Sequence, residues 1–98
     1  MPGINTDHME CVYLCEATGE FKSTQVSLKV GNKAEIYVKP DVIMTEGELK
    51  NLLDELSHGV FRKFNLHNPE ECSIFMDVDN QVYPVGYKGD MPVIHEAP

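Results

Sequence analysis

The residues with most latitude for chemistry are three cysteines and four histidines. Cys11 and Cys15 invite a metal or redox reading through their three-residue gap. In a strand they would share a face, yet four steps of about 3.3 Å separate them by ~13 Å, too far for a disulfide or a common metal. Their spacing therefore favours two buried or half-buried thiols. His58, His67 and Cys72, with Asp77 as a fourth ligand, define an alternative reading as a small metal-binding protein or enzyme. Their spacing fits no zinc-finger pattern, and histidines near helix ends commonly hydrogen-bond to carbonyls. Nothing local to Cys72 marks an activated thiol with His58 or His67 as its base. Asp77-Val78-Asp79-Asn80 opens like a calcium loop, but the sixth position is Val82 instead of glycine and the twelfth is Lys88 instead of glutamate. A solvated hairpin tip accounts for it better. The chain has no phosphate-cradling glycine loop, no Gly-x-Ser-x-Gly elbow and no basic stripe interleaved with aromatics. The expectation is a protein without catalysis, cofactor or metal.

Charge narrows the partners. Sixteen acidic side chains against eight basic ones give a formal charge of −8. That charge opposes direct nucleic-acid binding, because such affinity comes largely from Lys and Arg displacing condensed counterions. It equally disfavours anionic membrane surfaces, and it suits a basic protein partner. No segment approaches the roughly 18 apolar residues of a spanning helix. The first eight residues have neither a basic start nor an apolar run, so no secretory leader is expected. An odd cysteine count and the lack of any Asn-x-Ser/Thr acceptor fit reduced thiols and a cytoplasmic location.

The elements follow from periodicity. At 98 residues the chain is expected to be a single domain, 1–98, with a core over about 10–87, a loose lead at 1–8 and a tail at 88–98. A first strand is read over about Glu10 to Ala17, followed by a turn at Thr18-Gly19-Glu20. Thr24 to Val30 alternates cleanly, with Val26, Leu28 and Val30 on one face. Lys33 to Lys39 presents Ala34, Ile36 and Val38. A two-residue Gly31-Asn32 loop would mix the faces, whereas a three-residue loop pairs Val30 with Ala34, Leu28 with Ile36 and Val26 with Val38. Thr45-Glu46-Gly47-Glu48 is a capping box, with Met44 and Leu49 placed as a hydrophobic staple. Leu49, Leu52, Leu53, Leu56, Val60 and Phe64 extend a helical stripe. Gly59 could cap the helix after His58, but Val60, Phe61 and Phe64 keep the periodicity, so a weakened continuation to Phe64 is expected. Asn68-Pro69-Glu70-Glu71 has the pattern of a short capped turn. Cys72 to Val78 and Gln81 to Tyr87 pair across Asp79-Asn80, and Pro84 marks the second of them as an edge strand. Val93-Ile94 has the composition for a short further strand in the tail.

The predicted fold is therefore α+β, an antiparallel sheet of about five strands in the order βββαββ with one amphipathic helix on one face. One sheet face is left uncovered. If the helix covers Val26, Leu28, Ile36, Val38, Ile74 and Met76, then Tyr37 and Phe75 point away from it, with Glu35 on the same side. Aromatic anchors carry much of the energy of protein interfaces. The outer helix face adds Glu46, Asp54 and Glu55 as candidate steering charges. The functional expectation is a small acidic protein-interaction domain that occupies a basic surface through its open sheet face or an edge strand. An inhibitor or modulator of a nucleic-acid-binding enzyme is its specific form, a character shared with small accessory proteins of viral or mobile-element origin. A homo-oligomer burying the open face against its own copy is the third reading.

Overall fold

A computed structural model describes residues 5–63, 66 and 71–96. The chain order is β1 (Asn5–Leu14), β2 (Phe21–Val30), β3 (Ala34–Lys39), α1 (Glu46–His58), α2 (Val60–Lys63), β4 (Ser73–Val78), β5 (Gln81–Lys88) and β6 (Met91–Ile94). The six strands form one sheet in sequential order, β1 to β6. All neighbours are antiparallel except β3 and β4, which run parallel. The expected five-stranded, purely antiparallel sheet is corrected on both points. The helical segment carries the chain back across the sheet before β4 starts, and a crossover of that kind joins parallel strands.

Within each hairpin the alternation of side chains fixes the register. Val26↔Val38, Leu28↔Ile36 and Val30↔Ala34 pair across the Gly31–Lys33 loop, as parity requires. Asp79 and Asn80 both take positive φ, 53° and 63°, the conformation of a type I′ turn. They set Val78↔Gln81, Met76↔Tyr83 and Ile74↔Val85. A second two-residue turn, Gly89-Asp90, adds β6, with Gly89 alone at positive φ (66°). The strand read in the tail is thus present and begins two residues before Val93. The lead is also more ordered than its composition predicts, since Asn5 to His8 pair with Ser27 to Val30.

Pro84 was expected to mark an edge, but β5 lies between β4 and β6. The Pro84 carbonyl accepts the His95 N–H at 2.8 Å, so the imide nitrogen also faces β6. It meets that strand just past its end at Ile94, where a missing donor breaks no ladder bond.

The helix lies on one face. Leu49, Leu52, Leu53 and Leu56 pack with Val26, Leu28, Ile36, Val38, Ile74 and Met76 in a single core cluster. Met44, the staple residue, is buried in the same cluster. The stripe breaks at Gly59 (φ −122°, ψ −96°), so the predicted unbroken helix is corrected to α1 and a separate turn, α2. Phe61, in α2 just past the break, is fully buried in the core. Phe64, His67 and Asn68-Pro69-Glu70, on which further expectations rested, lie outside the described residues, as does the side chain of Val60.

The start of α1 ties both sheet edges together. The capping box is formed, with Glu48 N–H donating to Thr45 Oγ1 (3.0 Å) and Thr45 N–H donating to Glu48 Oε1 (2.8 Å). The other Glu48 oxygen accepts the Glu16 N–H just beyond β1 (2.6 Å), and Glu46 Oε2 accepts the Ile94 N–H of β6 (2.8 Å). Six flat strands would hold the outer two about 24 Å apart. Two glutamates in one helical turn reach both sides only because the sheet curls about α1.

Candidate interaction surface

Register places one row of open-face residues across the whole sheet. His8, Ser27, Tyr37, Phe75 and Pro84 are successive cross-strand partners from β1 to β5, and His95 continues the row by its bond to Pro84. At its centre the Tyr37 and Phe75 rings stack, with centroids 5.0 Å apart and planes 20° from parallel. Lys29 Nζ lies 5.0 Å from the Tyr37 ring centroid in cation–π geometry. The Tyr37 hydroxyl donates weakly to Glu35 Oε2 at 3.5 Å. Burial, with the Glu35 carboxylate as a second cause, raises the Tyr37 pKa above its ordinary value. At the β1 end of the row, the His8 ring Nδ1 and the Ser27 hydroxyl are 2.9 Å apart. A recess of about 310 Å³ runs between β1 and β2 there, lined by His8, Met9, Glu10, Gln25, Val26 and Ser27.

Sequence reading missed the most exposed apolar part of this face. Leu14 and Phe21 are paired partners, and Val12 is on the same side of β1. All three are exposed, Phe21 most of all at 75%. Leu14 and Phe21 flank the Thr18-Gly19-Glu20 turn at hairpin spacing. Starting β2 at Thr24 hid the pair.

The expected site residues divide into two groups. Tyr37, Phe75 and Glu35 come together on the open face. Glu46, Asp54 and Glu55 are on α1, on the other side of the sheet. Glu46 is engaged by β6, and Asp54 Oδ2 pairs with Lys50 Nζ at 3.0 Å.

The residues of the metal or enzyme alternative are dispersed. His58 is exposed at the end of α1, Cys72 is half-buried before β4, and Asp77 is on the open face of β4. Among the described residues no three His, Cys, Asp or Glu side chains are grouped to hold a metal ion. Burial, and then the neighbouring Glu71 carboxylate, push the Cys72 thiol up to about 11, opposite to the shift that activates a nucleophile. Burial raises the Cys11 thiol as well. Cys15 is held below its ordinary value by hydrogen bonds with the Thr18 side chain and backbone. Among the described residues no helix is long and apolar enough to cross a membrane. Compared with protein-family models, curated protein sequences and solved structures, the chain matches none.

Proposed function

We propose that this chain is a small acidic protein-interaction domain that binds a protein with a basic surface and thereby inhibits or modulates it. A nucleic-acid-binding enzyme is the kind of partner that presents such a surface. The observation carrying this reading is the open sheet face. Its centre holds the Tyr37–Phe75 stack, and its β1–β2 corner exposes Val12, Leu14 and Phe21. Apolar and aromatic anchors supply contact energy, while a chain charge of −8 selects and steers a basic partner. The proposed action is occupation of the partner's surface, with no reaction on this chain and no direct contact with nucleic acid.

The test is affinity capture with the immobilised chain, repeated over a salt series and with Tyr37→Asp and Phe75→Asp. The expected result is a basic partner whose retention falls with salt and falls at least tenfold on either substitution. Retention indifferent to salt and to both substitutions would reject the proposal.

A further inference from the structure

The two edges of the sheet are not equivalent, and the difference can be followed bond by bond. On β6, His95 N–H donates inward to β5, so the outward-facing positions are Pro92 and Ile94. Pro92 has no N–H, and the Ile94 N–H is taken by Glu46. That edge offers an incoming strand no free donor at these positions.

On β1, Cys15 N–H donates to Glu20 O at 2.8 Å, which assigns the odd-numbered residues to the ladder with β2. The even-numbered N–H and C=O groups therefore point outward. Glu16 agrees, since its outward N–H is the one that Glu48 captures. Thr6, His8, Glu10, Val12 and Leu14 carry the rest of this edge, about 27 Å of strand. Among the described residues no hydrogen bond covers these backbone groups.

Backbone geometry dictates what fits such an edge, namely another extended strand. Side chains and charge narrow it further. A strand laid beside β1 would meet Val12 and Leu14 on the open side, and half-buried Met9 and Cys11 at the margin of the core on the helix side. The same strand and its turn carry Asp7, Glu10, Glu16 and Glu20 and no Lys or Arg. A second copy of this chain would bring a further −8 to an already acidic edge.

We infer that β1 is a strand-addition site for an extended, basic segment of a partner protein, with apolar side chains alternating with Lys or Arg. This assignment rests on the acidic-interaction reading and specifies where the partner attaches.

The probe is a capped nine-residue peptide of alternating lysine and valine. A lysine–proline alternation of equal charge, which cannot serve as a ladder strand, is the control. Backbone amide exchange of the unsubstituted protein is followed by NMR. At saturation the lysine–valine peptide should slow exchange at Thr6, His8, Glu10, Val12 and Leu14 at least tenfold, with little added protection at Cys11 or Tyr13. Val12→Pro removes an outward donor and no bond to β2, so it should weaken binding at least tenfold. The exchange measurement stands whether or not that variant folds. Equal binding of the control, or perturbation confined to Tyr37 and Phe75, would overturn strand addition and leave the acidic-interaction reading intact. Concentration-dependent protection of the same amides without peptide would assign the edge to a second copy and overturn the inference. Binding of neither peptide at low salt would overturn both readings.

Discussion

Replacing Glu48 with alanine removes in one step the acceptor for the Thr45 N–H and the acceptor for the Glu16 N–H, bonds of 2.8 and 2.6 Å. The first is half of the capping box, on a scale of about 1 kcal/mol for helix N-cap changes. The second is a charge-assisted bond to a backbone donor, worth about 1.5–3 kcal/mol. The two share one side chain and do not add in full, so the expected loss is about 3 kcal/mol, or roughly 15 °C in Tm. Glu48→Gln keeps an amide oxygen for one donor and should lose about half as much. The pH dependence gives a second check. Burial pushes the Glu48 carboxyl up, but hydrogen bonds from the Thr45 and Glu16 N–H groups and from the Cys15 and Thr45 side chains outweigh it. The carboxyl is held below its ordinary value of 4.5. A carboxylate depressed in the folded state contributes stability that is complete above 4.5 and is lost as pH falls through the lower, folded value. The gap between wild type and Glu48→Ala should therefore shrink in acid. Urea unfolding followed by circular dichroism measures it. A neutral-pH difference under about 1 kcal/mol, or a gap unchanged in acid, would refute the assignment of Glu48 as the tie between β1 and α1.

Phe61→Ala should cost about 3–5 kcal/mol in the same unfolding assay, because this ring is fully buried in the core cluster. A loss below about 1 kcal/mol would place the ring elsewhere. Cys72, with its thiol near 11, should react with iodoacetamide about tenfold more slowly at neutral pH than a free thiol of pKa 9.0, the smaller thiolate fraction outweighing the higher nucleophilicity of a more basic thiolate. Mass spectrometry of timed quenches reads that rate, and labelling as fast as free cysteine would contradict the burial assigned to it.

How much of this fold is legible in the sequence depends on the range of the interaction. Parity suffices within a hairpin. Val26, Leu28 and Ile36 can share a core face in only one register, and Asp79-Asn80 forces the other hairpin. The capping box and leucine stripe likewise define α1 locally. Parity says nothing of how two hairpins meet across a helix, so the parallel β3–β4 pairing does not follow from it. The polar stretch Asn5 to His8 has weak strand propensity and is recruited by its pairing with β2, a tertiary effect overriding a local one. Pro84 misled because its missing N–H signals an edge, yet in an internal strand it can also face the place where a neighbour stops. Tyr37 and Phe75 were legible as open-face residues because both alternate with core residues. The exposed Leu14–Phe21 pair was not, because it depends on β2 beginning three residues earlier than its clean alternation.

The acid count also overstates the charge this chain can offer a partner. Glu48 is buried beneath the β1 turn and Glu46 is engaged by the β6 backbone, so the acids that begin α1 serve the sheet edges first. Asp54 is paired with Lys50, and Glu35 accepts the Tyr37 hydroxyl. Glu10 and Glu20 remain exposed beside the β1 edge, next to Val12, Leu14 and Phe21. The helix face and the open face look in opposite directions across the sheet, so a flat partner surface can engage only one of them. The β1 edge escapes that choice. An added strand there meets side chains of both faces, and it satisfies outward backbone groups that no described element covers.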